Sequence, residues 1–459
     1  MKHMNAKGNT HIIFGLGQSG LSCARYFDRI GQNYLLLDTR KNPPDEKEVE
    51  QLSHCQGVHF GEIDESILTD CCQLVVSPGI SLQIPLVKKA KALKIDVCGD
   101  VEIFARICNK PIVAITGSNG KSTVTDLTDQ LINASGIKAQ KGGNIGLPVL
   151  DFLPQDTAEI YVLELSSFQL DTTDSLAPEV AVLLNLSEDH LDRYSGFKQY
   201  CQSKQKIYQR AKNKVFNLDD ERTHPENICQ NDLAFSMLIP EKKTKLRLSF
   251  IKPLVMDEGL LLSYELVVNQ IDIISSRLLN LAGKHNFANV LASLNILTCL
   301  NIQIDKNVLQ VLQEYKGLKH RFQLVKRNDH CEWINDSKAT NVGATIAALD
   351  SLDLDSETQL ILIAGGDSKQ SQLGPLVQPL EDKVSALILM GKDAELFAKL
   401  SSNISSYLVE NMQQAVYKAK QLIDGKAVVL LSPACSSLDM FKNFEARGDA
   451  FISEVRACA

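Results

Sequence analysis

Short apolar runs recur along the chain, and most are followed directly by small or polar residues. Residues 11–14, 34–37 and 74–76 form such runs near the start, with helix-like stretches between them. Strand-length runs that alternate with helical stretches are typical of βαβ units and a parallel sheet. The first part of the chain is therefore predicted to be a Rossmann-like α/β domain, followed by a short helix with Asp100 as its N-cap.

The same pattern continues in the middle of the chain and then changes. Apolar runs at residues 111–115, 160–163 and 180–184 predict further parallel strands. From residue 243 to 274 apolar and polar residues alternate, which favours half-buried strands, with Gly259 in a hairpin turn. We expect a central α/β domain with an added β-rich region.

A third set of strands is predicted at residues 359–364, 386–390 and 427–431, after a helix that begins near residue 284. Each of these strands ends in small or polar residues. In open α/β sheets, ligands bind beyond the carboxyl ends of the strands. These strand ends are therefore candidate binding positions.

The length of 459 residues predicts about three domains. We place them at residues 1–99, 100–317 and 318–459. The fold class is α/β, with an N-terminal Rossmann-like domain, a central domain like the P-loop ATPases and a C-terminal Rossmann-like domain.

Composition and charge exclude several classes of function. A formal net charge of −7 makes the chain a poor candidate for an electrostatic DNA binder. Its 12 cysteines are scattered without C-x-x-C spacing, which is typical of reduced thiols rather than disulfides or a zinc site. The apolar runs are too short to span a membrane, and the first residues lack an apolar signal region. A cytoplasmic monomer with no nucleic-acid partner and no stable membrane insertion is expected.

Two glycine motifs indicate phosphate binding. Gly15, Gly17 and Gly20 give G-x-G-x-x-G between a strand and a helix, a spacing that fits either a dinucleotide site or a ligand-free turn. The run 116–123 contains Gly-Ser-Asn-Gly-Lys-Ser after an apolar strand. Its lysine would reach phosphate and its serine would bind Mg²⁺, although its two glycines are closer together than in the standard P-loop.

Charged residues follow other predicted strands. Glu164 ends a strand, where a carboxylate can hold a metal beside the P-loop, and His190 follows the next strand in an acidic segment. For His190, metal contact and a structural role both stay open. The segment 335–341 holds Asp336 and Lys338, which suit a nucleotide phosphate or a carboxylate substrate but also a capped surface turn.

Taken together, these motifs resemble the Mur ligases of peptidoglycan assembly, over essentially the whole chain. The run 431–448 is most particular to the member that adds D-glutamate. The other segments that carry the resemblance are residues 117–122, 164–169, 185–194, 283–286, 320–322 and 335–341.

The resemblance implies an ATP-dependent amide ligase that joins D-glutamate to UDP-N-acetylmuramoyl-L-alanine through an acyl phosphate. It also implies Mg²⁺, in two ions, and CO₂ bound as a lysine carbamate, and it assigns the first glycine motif to UDP rather than NAD.

The resemblance implies the following site residues. The UDP-substrate residues are Gly17, Gln18, Ser19, Asp38, Thr39, Arg40, Ser77, Gly79, Asn144, Gln169 and His190. The ATP residues are Gly117, Ser118, Asn119, Gly120, Lys121, Ser122, Thr123, Asn286, Asn289, Arg321, Asp336 and Lys338. The D-glutamate residues are Thr340, Lys369, Ser437, Leu438 and Phe444. The metal ligands are Ser122, Glu164, His190 and Lys204 as the carbamate. The catalytic residues are Lys121, His190, Lys204 and Lys338.

Two lysines, Lys204 and Lys206, are candidates for the carbamate. The stretch between Tyr194 and Lys204 is one residue shorter than the resemblance leads us to expect, so the alignment could shift to Lys206. The pair Ile207-Tyr208 that follows favours Lys204.

Three other functions fit part of the sequence. Another ligase of the superfamily, such as a folylpolyglutamate synthase or a different muramyl ligase, is disfavoured by the full first domain and by the run around Ser437. An NAD-dependent oxidoreductase would leave the P-loop unexplained. A nucleotide-switched regulatory protein would show no phosphate release that depends on an amino acid.

Overall fold

A computed structural model of the chain describes residues 10–41, 46–239, 247–254, 263–281, 284–328, 330–352, 354, 357–369, 372–400 and 403–457. Within these ranges the strands form three sheets that follow one another along the chain. The predicted α/β fold class is confirmed, while the domain boundaries after residues 99 and 317 stay predictions.

The first sheet is parallel and has the strand order β3–β2–β1–β4–β5, as in a Rossmann-like domain. Its elements are β1 (Thr10–Phe14), α1 (Gln18–Arg29), β2 (Tyr34–Asp38), α2 (Glu46–Val49), β3 (Cys55–Phe60), β4 (Cys71–Val76), α3 (Pro85–Ala92) and β5 (Asp96–Cys98).

The second sheet has the order β14–β13–β12–β11–β10–β9–β6–β8–β7. Strands β6 to β12 run parallel to one another, whereas the pairs β12–β13 and β13–β14 are antiparallel. Its unit contains α4 (Asp100–Ile107), β6 (Ile112–Thr116), α5 (Lys121–Ala134), β7 (Ala139–Gly143), β8 (Ile160–Glu164), α6 (Ser167–Leu170), β9 (Val180–Leu183), α7 (Phe197–Gln205), β10 (Asn213–Asn217), β11 (Leu233–Ser236), β12 (Arg247–Leu254), β13 (Ser263–Val268), β14 (Ile271–Ser275), α8 (Lys284–Cys299) and α9 (Lys306–Glu314).

The third sheet has the order β15–β16–β20–β17–β18–β19, with only its edge strand β15 antiparallel among the strands described. Its elements are β15 (Gln323–Arg327), β16 (Cys331–Asn335), α10 (Val342–Asp350), β17 (Gln359–Ala364), α11 (Val377–Lys383), β18 (Ala386–Leu389), α12 (Ala394–Leu400), β19 (Ser405–Leu408), α13 (Met412–Leu422), β20 (Ala427–Leu431) and α14 (Phe444–Ala457).

The central strands β6, β8 and β9 are buried along their whole length. Parallel strands covered on both faces read as continuous apolar runs, which is why the sequence pattern located them. Because these three strands are parallel neighbours, their carboxyl ends meet at one edge of the sheet, at Thr116, Glu164 and Leu183. The candidate site lies at this edge.

The helix predicted to begin after Asp100 starts one residue earlier than expected. Gly99 is the N-cap of α4, and Asp100 is its first helical residue, so the prediction that Asp100 caps the helix is wrong. Gly99 donates its N–H to the carbonyl of Thr172, and a Cβ at Gly99 would lie 2.4 Å from the Thr172 hydroxyl. This close approach of two chain segments selects glycine at the cap.

The alternating region forms β12, β13 and β14, as predicted, but the predicted turn at Gly259 lies outside the described residues. The cysteines in the described part of the chain are all free thiols, as expected. Among the helices described, none is both long and apolar enough to cross a membrane.

Candidate active site

A cavity of about 570 Å³ lies at the carboxyl end of the first sheet and extends to the second. Of the predicted UDP-substrate residues, all but His190 line it: Gly17, Gln18, Ser19, Asp38, Thr39, Arg40, Ser77, Gly79, Asn144 and Gln169. The glycine loop is tight here, since a Cβ on Gly20 would lie 1.9 Å from the carbonyl oxygen of Gly15. Sequence reasoning therefore selected residues that share one cavity.

Asp38 holds the glycine loop of this cavity in place. Its carboxylate accepts the N–H of Leu16 at 2.8 Å and the Arg40 guanidinium at 2.7 and 2.9 Å. Burial acts to raise the pKa of Asp38, but the Arg40 side chain and the N–H groups of Leu16 and Arg40 outweigh it and lower the pKa. The carboxylate is thus an ionised anchor at neutral pH.

Replacing Asp38 with alanine is expected to raise KM for the UDP substrate by about tenfold to a hundredfold, because charge-assisted hydrogen bonds that shape the loop are lost. KM for ATP should stay within about twofold of the wild-type value, since none of the predicted ATP residues lines this cavity. Steady-state kinetics with each substrate varied in turn measures both. Asp28 is a matched control, because its carboxylate also accepts a backbone N–H, that of His54 at 2.7 Å, but it does not line the cavity. Equal KM changes in the two variants would contradict the assignment.

The second glycine motif forms the loop between β6 and α5. Gly120 is the N-cap of α5 with a left-handed φ of 83°, and a Cβ there would lie 2.5 Å from the Asn289 side chain. Lys121 donates its ammonium to the carbonyls of Gly117 and Ser118, each at 2.8 Å. Burial lowers the pKa of Lys121, against opposing effects of nearby acids. The loop and the helix N-terminus together suit a phosphate group, as the sequence predicted, and the loop is called the phosphate loop below.

This loop is bound to the segment after β9. The Ser118 hydroxyl accepts the N–H of Ser187 at 3.0 Å and lies 2.9 Å from the Tyr200 hydroxyl. The side chain of Asn185 accepts the N–H of Asn119 at 2.8 Å. The two segments that the sequence placed after separate strands are therefore one structural unit.

Glu164 lies between the first cavity, which its partner Asn144 lines, and the loop that precedes α5. Its side chain is 1% exposed; Oε1 accepts the Asn144 amide at 2.7 Å, and Oε2 is buried without a hydrogen-bond partner among the described residues. Its negative charge acts to raise the pKa values of Lys121 and Arg321, so these cations are close. An unpartnered carboxylate oxygen beside a phosphate loop suits a divalent cation.

His190 lies near the charged groups of Lys121 and Lys204, and its backbone has a left-handed φ of 55°. Its Nε2 is 3.7 Å from Asp189, and its ring makes a T-shaped contact with the Phe168 ring at 5.1 Å between centroids. Burial lowers the pKa of His190, Asp189 opposes this, and Lys369 and other nearby lysines add to the lowering. A neutral imidazole is the form that ligates metals.

Lys204 lies in the core of the site, and Lys206 does not. The Lys204 side chain is 2% exposed, and its Nζ is 3.2 Å from the hydroxyl of Thr116 at the end of β6. Burial lowers the pKa of Lys204 well below its usual range, and the charge of Lys121 adds to the effect. Lys206 instead pairs with Asp171 at 2.8 Å. The geometry therefore favours Lys204 for the carbamate position.

A second cavity, of about 330 Å³, lies between the second and third sheets. The predicted ATP residues that line it are Asn119, Gly120, Thr123, Asn286, Asn289, Arg321, Asp336 and Lys338. Of the other predicted ATP residues, Gly117 and Ser118 belong to the adjoining loop, and Lys121 and Ser122 begin α5. Arg321 donates to the Ser122 hydroxyl at 2.6 Å, so the third unit contacts the first turn of α5 directly.

Burial also lowers the pKa of Lys338 to about 8, with the charges of Arg321 and Lys121 adding to the effect. Its Nζ lies 3.9 Å from the centre of the Phe444 ring. Lys338 thus contacts an aromatic face of the third unit and lines the same cavity as Asn119 and Gly120 of the second.

Asp336 is expected to make stability depend on pH. Burial raises its pKa from 3.8 to about 7, although the Ser432 hydroxyl and the N–H of Phe322 oppose the shift. The unfolded carboxyl therefore loses its proton first as pH rises, and stability falls between about pH 4 and pH 7. Relative to Asp336→Asn, the wild-type free energy of unfolding should drop by on the order of 4 kcal/mol over that range and then level off.

Urea titrations followed by the fluorescence of Trp333, the single tryptophan, measure this difference in the third unit. A difference between wild type and Asp336→Asn that does not change with pH would contradict the prediction. Asp350 is an exposed aspartate of the same unit, and Asp350→Asn should show no such difference.

The predicted D-glutamate residues are only partly brought together. Lys369 lines a cavity of about 430 Å³ that also includes Asp192 of the second unit. The described lining of that cavity does not include Thr340, Ser437, Leu438 or Phe444. Backbone hydrogen bonds between Asp367 and Ser436 nevertheless place the Lys369 and Ser437 loops side by side. These assignments stay predictions.

Sequence reasoning missed part of the second cavity, which is called the nucleotide cavity below after the predicted ATP residues that line it. Asn217 lines it at the carboxyl end of β10, where the rule on strand ends could have found it. His285 also lines it, and burial lowers its pKa to about 4, so it stays neutral. The other lining residues not selected include Asn185, Ser187, Asp220, Arg222, Gly343, Ala344 and Ala347.

Family models match all three units. The description "Mur ligase MurD-like, N-terminal domain" matches residues 9–99, "Mur ligase middle domain" matches residues 115–297, and "Mur ligase, glutamate ligase domain" matches residues 320–435. Together the matches follow the order of the three sheets.

Relatives with assigned names match along their full length. UDP-N-acetylmuramoylalanine–D-glutamate ligase of Pseudoalteromonas translucida (strain TAC 125) is 42% identical over 462 residues, covering 100% of this chain and 99% of the relative. The ligase of the same name from Haemophilus influenzae (strain ATCC 51907 / DSM 11121 / KW20 / Rd) is 40% identical over 449 residues, covering 98% of each chain.

Solved structures share the fold at lower identity. A pseudomurein peptide ligase type C from Methanothermus fervidus aligns with a TM-score of 0.59 at 18% identity, covering 98% of this chain and 100% of that one. MurF ligase from Thermotoga maritima in complex with ADP aligns with a TM-score of 0.58 at 15% identity, covering 93% and 96%. At this identity the likeness concerns the fold alone.

Proposed function

The chain belongs to the Mur ligase family, and we propose that the residues around Glu164 carry out its ATP-dependent amide synthesis. The reaction joins D-glutamate to UDP-N-acetylmuramoyl-L-alanine in peptidoglycan synthesis. The full-length matches favour this reaction over those of an NAD-dependent oxidoreductase, a folylpolyglutamate synthase or a nucleotide-switched regulator.

One observation carries the assignment of the site. Glu164 lies between the two substrate sites that we propose: Asn144, which lines the first cavity, donates to its Oε1, and the charge of Lys121 at the start of α5 is close to it. A carboxylate at the end of a UDP-anchored substrate would therefore reach the terminal phosphate of ATP at this point.

In the first step, the L-alanine carboxylate attacks the γ-phosphate of ATP in line, which gives an acyl phosphate and ADP. Phosphoryl transfer needs positioning and charge neutralisation more than covalent help from the protein. Lys121 supplies positive charge from the loop, and Arg321 and Lys338 supply it from the third unit. Their burial strengthens this effect, because charges interact more strongly away from water.

The residues present suit Mg²⁺. The free Oε2 of Glu164 is a buried carboxylate oxygen without a partner among the described residues, and Ser122 and His190 are the other ligands that we assign from this chain. Bound Mg²⁺ would neutralise charge on the phosphates.

Lys204 suits a carbamate. Carbamate formation needs a neutral amine, and burial already favours the neutral form of Lys204. The nearby charge of Lys121 repels an ammonium but attracts a carbamate, so the modification turns an unfavourable pair into a favourable one. The carbamate would then serve as a further metal ligand.

In the second step, the amine of D-glutamate attacks the acyl carbon, and the tetrahedral intermediate collapses to the amide and phosphate. We assign the D-glutamate contacts to the Lys369 and Ser437 loops, with Thr340, Leu438 and Phe444. Arg321 of the third unit donates to Ser122 at the start of α5, and a third unit held there would keep water from the acyl phosphate.

Trapping the acyl phosphate tests this mechanism. With D-glutamate omitted and hydroxylamine added, the chain should convert UDP-N-acetylmuramoyl-L-alanine to its hydroxamate and release one ADP for each hydroxamate. The L-alaninamide form of the substrate is the control, because it has no free carboxylate. ADP release with that form, or ADP release without hydroxamate, would contradict the acyl-phosphate mechanism.

A further inference from the structure

Arg193 makes a contact between the first two units that the mechanism has not used. Its Nη1 donates to the carbonyl of Gly79 at 3.1 Å, and its Nη2 donates to the carbonyls of Ile80 at 3.0 Å and Pro78 at 3.4 Å. Pro78, Gly79 and Ile80 all line the UDP cavity. A side chain of the second unit therefore holds the backbone of a substrate loop in the first.

Arg193 is also fixed to His190. The N–H of Arg193 donates to the carbonyl of His190 at 2.9 Å, which closes a tight turn. The His190 backbone in this turn has a left-handed φ of 55°. Any displacement of the Arg193 backbone would therefore move the imidazole of His190.

Phe168 completes the connection. The Arg193 guanidinium lies 4.4 Å from the centre of the Phe168 ring, and the His190 ring packs against the same phenyl ring at 5.1 Å. A cation over an aromatic face is a directional contact that holds both groups. Gln169, the next residue, lines the UDP cavity. Arg193 and Phe168 therefore form a chain of contacts that runs from the substrate loop to His190, the candidate metal ligand.

We propose that Arg193 is a positioning residue that couples occupancy of the UDP cavity to the placement of His190. The part of this inference that concerns His190 rests on the proposed function, because that function makes His190 a metal ligand. The contact of Arg193 with residues 78–80 is independent of the proposed function. The guanidinium suits the task because it can donate to several carbonyls while its flat face stacks on a ring.

The test compares Arg193→Ala with wild type. Calorimetric titration with UDP-N-acetylmuramoyl-L-alanine alone should give a dissociation constant raised by about tenfold to a hundredfold, from the loss of charge-assisted hydrogen bonds. At saturating substrates kcat should also fall, because His190 loses its support, while KM for ATP stays within about twofold. Free guanidinium ion should restore part of the affinity, which a general loss of folding would not permit.

Arg29→Ala is the matched control. Arg29 also donates across the same two units, to the carbonyl of Leu150 at 3.5 Å, but it lines none of the cavities described above. It should bind the UDP substrate as wild type does. If Arg193→Ala fails to fold, Arg193→Lys keeps the charge on a single nitrogen that cannot reach all three carbonyls, and it should bind the UDP substrate more weakly than wild type does.

Two results would overturn the inference: unchanged affinity for the UDP substrate in Arg193→Ala, or an equal loss in Arg29→Ala. A wild-type chain that binds the UDP substrate but forms no amide would instead overturn the proposed function. In that case a raised dissociation constant for the UDP substrate in Arg193→Ala would still support the role of Arg193 in holding the substrate loop.

Discussion

Replacing Lys121 with methionine is expected to lower kcat by at least about 10³-fold, the scale of losing a buried cation that stabilises a phosphoryl transition state. The ammonium lies in the phosphate loop and is bonded only to the carbonyls of Gly117 and Ser118 among the described residues. Methionine keeps the length of the side chain and removes the charge. Release of ADP under saturating substrates measures the effect.

The loss should not come from unfolding. Burial lowers the pKa of Lys121, which means that the folded protein disfavours its charge. The melting temperature of Lys121→Met should therefore equal or exceed that of wild type. Lys212→Met is the control, since Lys212 is 71% exposed and pairs with Glu179 on the surface; such pairs contribute little. Retention of more than about a tenth of the wild-type kcat in Lys121→Met would contradict the assigned role.

Replacing Lys204 with alanine is expected to lower kcat by about 10²-fold or more, the scale of losing a group that supports metal chemistry. If the working form is a carbamate, a small carboxylate such as acetate should enter the space left by the side chain and restore part of the activity. Wild-type activity should also fall in buffer freed of CO₂ and return when bicarbonate is added. Initial rates with and without each addition measure these effects.

Lys206→Ala is the matched control, because Lys206 lies two positions further on and pairs with Asp171 instead of reaching the site. It should keep near wild-type activity and show no response to acetate. Rates of Lys204→Ala that acetate does not change, together with wild-type rates indifferent to CO₂, would contradict the carbamate. A larger loss in Lys206→Ala than in Lys204→Ala would instead favour the shifted alignment.

Prediction from the sequence worked best for strands that are buried on both faces, because their burial appears in the sequence as a local apolar run. Glu164 is the last residue of a strand whose other residues are apolar, so both the strand and the carboxylate at its end could be predicted directly from the sequence. The same rule would have found Asn217, which ends a strand beside the nucleotide cavity. Its strand was not recognised because it begins with Asn-Lys rather than with an apolar run.

Other residues have no local signal. Lys204 lies in a polar helix, and its burial arises only when α7 packs against the end of β6. The family resemblance alone selected it. The contact of Arg193 with residues 78–80 joins segments far apart in sequence, so no spacing rule could reveal it.

The error at Asp100 has a similar cause. Aspartate is a favoured N-cap, so a local rule selected it. The contact of Gly99 with Thr172, a residue of the second unit, decided the cap instead. Tertiary contacts thus overrode the local preference at the junction between two units.

The most direct test of the central claim is phosphate release from ATP and Mg²⁺ with UDP-N-acetylmuramoyl-L-alanine, across a panel of D- and L-amino acids. We predict release that depends strictly on D-glutamate and equals the amount of amide formed. Release with a different amino acid would keep the ligase but change its substrate. The absence of release with every amino acid, under conditions where ATP binding is demonstrated, would contradict the ligase function.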